Sequence, residues 1–181
     1  MLLDTPICDF GWRAPDFTLE QAGGGTVALQ SAVGPNGLLI AFICNHCPYV
    51  KAIADRFSAD AKTLRAEGVN VLAIMSNDYI SYPADSPEEM VKFAAKHGFE
   101  FPYLVDENQT VGRAYDAVCT PDFFGFNRGL ELQYRGRLDD LRMNESKDRV
   151  PELLNAMRQV ADTGQGPKEQ TPSMGCSIKW R

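Results

Sequence analysis

Residues 38–48, LLIAFICNHCP, join an apolar run to a pair of cysteines and a proline. The run Leu38–Ile43 is continuous, which is typical of a β-strand buried on both faces. From Pro48 onward, apolar residues recur at every third or fourth position as far as Leu64, and Gly68 follows. This period predicts a long helix that ends at the glycine. The cysteine pair therefore lies where a buried strand gives way to a helix.

The rest of the chain alternates between strand and helix patterns. The predicted elements are an N-terminal hairpin from residues 12–19 and 26–29, a second buried strand over 69–75, a helix that starts after the Asp85-Ser86-Pro87 cap and ends at Gly98, an extended piece over 102–105, a short helix over 107–115, a hairpin from 123–126 and 130–135, and a last helix over 148–161. Such alternation predicts an α/β fold with a central mixed β-sheet flanked by helices, because a terminal hairpin adds antiparallel strands to a parallel sheet.

The length of 181 residues corresponds to about one domain, so we expect a single domain over residues 1–181. Within it, residues 1–30 are expected to form an N-terminal hairpin extension and residues 163–181 a C-terminal tail. The tail is rich in glycine, proline and glutamine, but Ile178 and Trp180 make its end apolar enough to pack on the body.

Composition excludes several classes of protein. Lysine and arginine number 18 against 24 aspartates and glutamates, a net charge of −6, so no basic surplus is present to bind nucleic acid. The longest apolar run, Leu38–Cys44, is far shorter than the ~20 residues of a membrane span, and no export signal is recognisable at the start. The five cysteines are an odd number, which does not suit a framework of structural disulfides. We therefore expect a cytoplasmic protein that binds neither nucleic acid nor membrane.

The spacing Cys44-Asn45-His46-Cys47 at a helix start favours thiol–disulfide chemistry. Unpaired backbone N–H groups and the helix dipole stabilise a thiolate there, and a protonated His46 would add to the effect. Pro48 suits the first helical position because the amide hydrogen it lacks would have no partner.

The same residues fit two other interpretations. The cysteines could be ordinary core residues at a strand end, or they could belong to a structural metal site completed by Cys119, Cys176 or His97. A metal site is disfavoured because no second CxxC or HxxxH supplies the remaining ligands. We therefore favour a redox pair, and we expect no metal and no cofactor.

At this point the chain resembles a known family. The resemblance rests on the stretches Ala14–Phe17, Phe42–Val50, Ser76–Asp78, Cys119–Phe124, Tyr134–Asp140 and Pro172–Trp180. Together they are similar to thioredoxin-like proteins, and most closely to the peroxiredoxin-like members of the redoxin, or AhpC/TSA, group. The resemblance spans nearly the whole chain and implies a thioredoxin-like fold.

The resemblance also implies roles for individual residues. Cys44 would be the exposed, attacking thiol and Cys47 the buried, resolving one. Thr120 and Pro121 would form a cis-proline turn opposite the pair, where the substrate backbone docks. Asp78 lies where related proteins carry an acid near the thiols and would accept a proton there; the alternative is a solvated loop aspartate.

Departures from the thioredoxin pattern affect the expected redox potential. The acid that thioredoxins bury six residues before the first cysteine is Leu38 in this chain. A histidine directly before the second cysteine is instead the arrangement of disulfide isomerases, whose potentials lie near −180 mV compared with about −270 mV for thioredoxin. We therefore expect a pair that is less reducing than that of thioredoxin, which equilibration with glutathione buffers would measure.

Three functions are compatible with the sequence. A peroxidase of this superfamily carries Pro-x-x-x-Thr/Ser-x-x-Cys, but the two required positions are Gly37 and Ala41 before Cys44, and Ile40 and Cys44 before Cys47. We therefore expect a thiol–disulfide oxidoreductase, with thiol peroxidase and a non-catalytic binding module as alternatives. Its partners would be protein or small-molecule disulfides and a thiol electron donor; the pattern indicates no oligomeric state.

Two cysteines outside the pair are candidate auxiliary thiols. Cys119 adjoins the expected cis-proline turn, and Cys176 lies in a tail that is able to fold back toward the pair or toward Cys119. The alternative is that both are small buried residues without a redox role. Cys8 is assigned no role. Arg137, Asp139 and Asp140 recur in the resembling proteins, where they would terminate a strand and cap the next turn.

Overall fold

The computed structural model describes all residues from Met1 to Arg181. The strands are β1 (Leu2–Asp4), β2 (Thr18–Gln21), β3 (Thr26–Ala28), β4 (Gly37–Phe42), β5 (Val69–Met75), β6 (Tyr103–Val105), β7 (Cys119–Thr120), β8 (Asp122–Phe126), β9 (Leu132–Tyr134) and β10 (Met174–Ser177). The helices are α1 (Leu29–Ala32), α2 (Pro48–Ala66), α3 (Pro87–His97), α4 (Thr110–Ala114) and α5 (Glu152–Thr163), with a 3₁₀ turn at Pro83–Asp85. No helix combines the length and apolar character needed to cross a bilayer.

A seven-stranded sheet in the order β3-β2-β6-β5-β4-β8-β9 forms the centre of the molecule. Strand β4 runs parallel to β5 and antiparallel to β8, and β5 runs parallel to β6. The predicted central mixed sheet is therefore confirmed. The cysteine pair follows β4, an inner strand of this sheet.

Two apolar cores cover the two faces of the sheet. All six residues of β4 are buried, and alternate side chains enter opposite cores because strand side chains point alternately to the two faces. Leu39 and Ala41 pack with the apolar sides of α2 and α5, whereas Leu38 and Ile40 pack with Tyr115 and its neighbours. This double burial explains the continuous apolar run in the sequence.

Helix ends follow the local signals of the sequence. Pro48 is the first residue of α2, and Gly68, just beyond its end, has a positive φ of 86°. Helix α3 starts where the Ser86 hydroxyl accepts the Glu89 N–H, and it ends at Gly98 in the left-handed conformation. Both helices were predicted, and caps and glycines account for their limits.

Some predicted elements are shorter than expected. Helix α5 starts at Glu152 rather than at residue 148, because Pro151 disfavours helical geometry at Val150. The N-terminal hairpin consists of β2 and β3 alone. Strand β2 also pairs with β6, so this hairpin widens the central sheet at its edge instead of standing apart from it.

A second, three-stranded sheet has the order β1-β10-β7 and had no counterpart in the sequence patterns. Strand β10 brings the C-terminal segment between the two others, pairing Cys176 with Leu2 on one side and with Thr120 on the other. Because β7 leads into the turn beside the cysteine pair, this sheet brings the end of the chain to the candidate site.

Candidate functional site

The cysteine pair lies in the short segment between β4 and α2 and is enclosed by the protein. Cys44 is 1% exposed and Cys47 is fully buried. The expectation that Cys44 is the exposed thiol is therefore wrong. The reason is tertiary: the Asn45 side chain binds the Ala84 carbonyl at 3.0 Å, and Thr120 lies against both sulfurs, so two remote segments cover the pair.

Cys47 occupies the position just before the first residue of α2 and carries the more acidic thiol. The hydrogen bond from Cys44 has the largest effect, and the Thr120 hydroxyl and the backbone N–H groups of Val50 and Cys176 also contribute. Together these donors lower the pKa of Cys47 from 9.0 to about 4 despite its burial. The stabilised thiolate is therefore at Cys47.

Cys44 experiences the opposite effects. Its hydrogen bond to Cys47, its burial and the nearby Asp85 carboxylate all raise its pKa above the ordinary value. The Thr120 hydroxyl, 3.4 Å from the Cys44 sulfur, offsets this only in part. The attacking role that the resemblance implies for Cys44 is therefore not favoured by these surroundings, which raise its pKa.

Asp85 is the acid of this site, and the sequence indicated it only as part of a helix cap. Its fully buried carboxylate accepts the backbone N–H groups of Asn45 and His46 at 2.8 and 3.2 Å. It also contacts His46 Nδ1 at 2.6 Å and the Asn77 amide at 2.9 Å. Four contacts from three residues thus fix the loop that carries the pair. No local signal identifies this role, because the His46 contact spans 39 positions of sequence.

Asp78 does not occupy the place that the resemblance implies. One of its carboxylate oxygens binds Arg181 at 3.1 Å and the Ile80 N–H at 3.2 Å, and it contacts neither cysteine. A hydrogen bond from Ser81, followed by those from Arg181 and the turn, lowers its pKa. Asp78 belongs to the loop that holds the C-terminus, and Asp85 takes the position beside the thiols.

His46 lies between the buried Asp85 carboxylate and the protein surface. Its ring stacks on Tyr82 with a centroid distance of 5.5 Å, and its Nδ1 points to Asp85 rather than to a sulfur. Its closest ionic partner is therefore a carboxylate. In this orientation His46 positions the loop between the cysteines.

Thr120 and Pro121 face the pair from the opposite side. The peptide bond between them is cis. The Thr120 hydroxyl contacts Cys44, and its carbonyl oxygen accepts a hydrogen bond from the Cys47 thiol at 3.2 Å when that thiol is protonated. Pro121 also lines a small pocket with Tyr49, Phe123 and Met174, and arginines lie at its rim.

The two further thiols differ in environment. Cys119 is buried, its sulfur lies 3.7 Å from the Pro121 carbonyl, and burial followed by the Asp122 carboxylate raises its pKa. Cys176 is partly exposed, packs against the core cluster that contains the pair and is paired with Thr120 in the small sheet. The structure thus brings Cys176 close to the pair, whereas Cys119 is buried in the core.

Arg137, Asp139 and Asp140 hold the segment between β9 and α5. Arg137 pairs with Glu152 at 2.7 Å, and Asp140 accepts the Val150 N–H at 2.9 Å. Asp139 is nearly inaccessible and binds Arg56 at 2.7 Å and Arg149 at 3.3 Å. These contacts are structural, and none of them involves a sulfur.

The group best placed to hold a metal ion is Cys44, His46 and Asp85, whose ligand atoms lie within 4.8 Å of one another. A tetrahedral zinc ion would need its ligand atoms about 3.3 Å or more apart. His46 and Asp85 are instead joined by a 2.6 Å hydrogen bond, and Asp85 already has its other donors. The arrangement therefore fits a hydrogen-bonded loop better than a metal centre.

Comparison with known proteins agrees with the fold. The model of the AhpC/TSA family matches residues 10–136. An uncharacterized conserved protein from Geobacillus kaustophilus, known from a crystal structure, is 42% identical with a TM-score of 0.93 and covers 100% of this chain and 97% of its own. Peroxiredoxin Bcp from Bacillus subtilis (strain 168) is 27% identical over 161 residues, which is 85% of this chain and 98% of that protein.

The thioredoxin domain of a thiol-disulfide oxidoreductase from Bacteroides vulgatus superposes with a TM-score of 0.65. It is 15% identical and covers 84% of this chain and 97% of its own, so the similarity is one of fold alone. The predicted thioredoxin-like fold is confirmed.

Proposed function

Because the chain belongs to the AhpC/TSA family, as its motifs predicted, we propose that it is a thiol–disulfide oxidoreductase whose Cys44 and Cys47 alternate between dithiol and disulfide. The observation that carries this proposal is that Thr120 contacts both sulfurs: its hydroxyl lies 3.4 Å from the Cys44 sulfur and its carbonyl oxygen 3.2 Å from the Cys47 sulfur. Two thiols packed against one residue at a helix start are placed for disulfide chemistry, and a thiolate there is the reactive form of cysteine.

The contacts of the site support different roles for Cys47 and Cys44. Once a docked substrate has displaced the segments that cover the pair, the Cys47 thiolate forms a mixed disulfide with a substrate sulfur, while the other substrate sulfur leaves with the electron pair. Cys44 then loses its proton, attacks the Cys47 sulfur and releases the second substrate thiolate. The substrate thiolate that has already left takes the Cys44 proton.

The substrates would be protein or small-molecule disulfides, and a thiol donor would reduce the pair again. The pocket beside Pro121 supports docking of a substrate at the cis-proline turn, because Tyr49 and Met174 provide an apolar surface there. An odd number of cysteines, all of them free, fits a reducing compartment such as the cytoplasm.

An insulin-reduction assay tests this function, with glutathione or thioredoxin reductase as the electron source. We expect Cys44→Ser and Cys47→Ser to abolish turnover. Cys8→Ser is the matched control, because Cys8 is also partly exposed but packs in the other core. Equal rates for the wild type and both pair variants would overturn the proposal and favour a non-catalytic binding module.

Thiol peroxidase is the second candidate, and the low pKa of Cys47 favours it together with the similarity to a peroxiredoxin. Against it, Cys44 stands where a peroxidase has a threonine or serine hydroxyl, and Ile40 stands where the proline belongs. Stopped-flow oxidation by hydrogen peroxide separates the two functions. Rapid, saturating formation of a sulfenic acid on Cys47 would establish the peroxidase.

A further inference from the structure

Burial of the cysteine pair raises the question of how an external sulfur reaches it. Cys44 and Cys47 are 1% and 0% exposed, so neither sulfur is open to solvent. Cys176 is partly exposed and packs against the core cluster that contains Cys44 and Cys47. It also pairs with Thr120, the residue that contacts both sulfurs, so a partly exposed cysteine lies beside the buried pair.

The position of Cys176 is fixed by β10. Its register places Cys176 opposite Thr120 on one side and Leu2 on the other, and the Ser177 N–H donates to the Met1 carbonyl at 2.8 Å. Gly175 lies so close to Thr120 that a Cβ there would overlap the Thr120 carbonyl oxygen. Cys176 is thus held beside Thr120, and so next to the cysteine pair, by main-chain contacts.

We propose that Cys176 is a third redox thiol, which carries the disulfide between the buried pair and an external thiol. This inference rests on the proposed thiol–disulfide exchange. The Cys176 thiolate attacks the Cys47 sulfur of the Cys44–Cys47 disulfide. A Cys47–Cys176 bond forms, the Cys44–Cys47 bond breaks, and Cys44 leaves with the electron pair and takes the proton that Cys176 lost.

A donor thiol completes the cycle at the surface. Its thiolate attacks the Cys176 sulfur, and Cys47 leaves as the stabilised thiolate. A second donor thiol then releases Cys176 and leaves with the first donor as a disulfide. Two donor thiols are oxidised for each disulfide reduced, and the internal step changes no oxidation state.

Electrostatics favour the internal step only after the pair is oxidised. Burial and the hydrogen bond to Cys47 raise the pKa of Cys176 in the reduced protein. The contribution of Cys47 is lost once Cys47 is in a disulfide, because a disulfide sulfur carries no charge. Lys179 acts in the opposite direction and lowers the pKa of Cys176.

The first experiment traps the bond. Cys44→Ser is oxidised with diamide, free thiols are alkylated, and the disulfides are mapped by mass spectrometry. We expect an intramolecular Cys47–Cys176 disulfide. The inference fails if Cys47 and Cys176 are both alkylated, or if Cys47 appears only in bonds between molecules.

The second experiment measures the transfer. Oxidised wild type, Cys176→Ser and Cys8→Ser are mixed with glutathione, and reduction of the Cys44–Cys47 disulfide is followed by alkylation. We expect Cys176→Ser to be slower by at least about tenfold, because an intramolecular attack is replaced by one on buried sulfurs. We expect Cys8→Ser to match the wild type.

The outcomes separate the two proposals. Equal rates for Cys176→Ser and the wild type would overturn the relay but leave thiol–disulfide exchange intact. A wild type that forms no Cys44–Cys47 disulfide with diamide would instead overturn the proposed function itself. If Cys176→Ser misfolds, iodoacetamide labelling of the reduced wild type tests the relay instead. The relay requires Cys176 to be alkylated before Cys44, and alkylation of Cys44 first would overturn it.

Discussion

At the scale of single residues, Cys44 and Cys47 have opposite electrostatic surroundings. The neighbouring thiol of the pair has the largest effect, lowering the pKa of Cys47 and raising that of Cys44; backbone N–H groups add to the first shift, and burial and the Asp85 carboxylate add to the second. These surroundings favour the negative charge on Cys47 rather than on Cys44. The resemblance alone implied the reverse order of reactivity, because it transfers positions but not the charges around them.

Replacement of Asp85 tests its influence on Cys44. In Asp85→Asn the negative charge that raises the pKa of Cys44 is removed, so we expect the Cys44 thiolate to appear at lower pH. We also expect a loss of about 1–3 kcal/mol in stability, because the new amide faces the Asn77 amide as donor to donor. Iodoacetamide alkylation against pH measures the first effect and urea unfolding the second.

Asp78→Asn is the matched control for this experiment. Asp78 is also an aspartate next to a turn, but it pairs with Arg181 and not with a cysteine. Its alkylation profile should coincide with that of the wild type. If the alkylation profile shifted in Asp78→Asn and not in Asp85→Asn, Asp78 would be the acid that acts on the thiols.

The low pKa of Cys47 makes the stability of the reduced protein depend on pH. Its pKa is about 4 in the folded protein and about 9 for an ordinary thiol, so the unfolded chain binds one more proton between these values. The stabilisation is fully present above pH ~9 and is lost as the pH falls toward 4. The slope is at most about 1.4 kcal/mol per pH unit, and the raised pKa of Cys44 adds nothing below pH ~9.

Urea unfolding in reductant at pH 8 and pH 5 measures this dependence. We expect the wild type to lose more unfolding free energy than Cys47→Ser between the two values, because serine does not titrate there. Equal losses in both proteins would show that Cys47 keeps its proton at pH 8.

At the scale of elements, the three-stranded sheet of β1, β10 and β7 positions two residues of the site, Thr120 and Cys176. Strand β10 pairs Cys176 with Thr120 and packs it against the core cluster that contains Cys47. The contact depends on a close approach of two backbones, which only a glycine at position 175 permits. The last strand of the chain is therefore part of the site.

Gly175→Ala should move β10 away from β7, because the new methyl group would overlap the Thr120 carbonyl oxygen. We expect the Cys47–Cys176 disulfide to disappear from the Cys44→Ser background, while the Cys44–Cys47 disulfide still forms in the otherwise wild-type chain. Mass-spectrometric mapping after diamide treatment measures both bonds. Gly23→Ala is the control, since a Cβ at Gly23 meets nothing within 4 Å, and it should change neither bond.

At the scale of the whole molecule, a cluster of ion pairs joins α2 to the segment that precedes α5. Asp139 binds Arg56 of α2, and Arg149 binds both Asp139 and Asp60 of α2. The Asp139 carboxylate is 1% exposed, so these pairs are largely shielded from water. They attach a long irregular segment to the helix that begins at the cysteine pair.

Removing the central charge of this cluster should destabilise the whole protein. In Asp139→Asn, two arginines lose a shared buried partner, so we expect a loss of about 2–4 kcal/mol in the free energy of unfolding. Glu67→Gln is the control, because it breaks the exposed pair with Arg158, and we expect no measurable loss. Urea denaturation compares the two, and equal effects would show that the Asp139 cluster acts as an ordinary surface pair.

Much of the architecture was accessible from the sequence because its causes are local. The buried run of β4 and the period, N-terminal proline and following glycine of α2 are properties of neighbouring residues, and both elements lie where they were predicted. The cysteine pair at their junction was accessible for the same reason. Short elements with weak signals, such as β1 and β7, were not, since they form only by pairing with β10.

Local residue patterns were sufficient to predict a mixed α/β sheet, the strand–CxxC–helix unit and a pair of neighbouring cysteines. The packing of distant segments places Asp85 rather than Asp78 beside the thiols, buries both sulfurs and packs Cys176 beside the pair. Periodicity and caps act over a few residues. The neighbours of a sulfur are set instead by how distant segments close over it, and in this protein those segments are the 3₁₀ turn at Pro83–Asp85, β7 and β10.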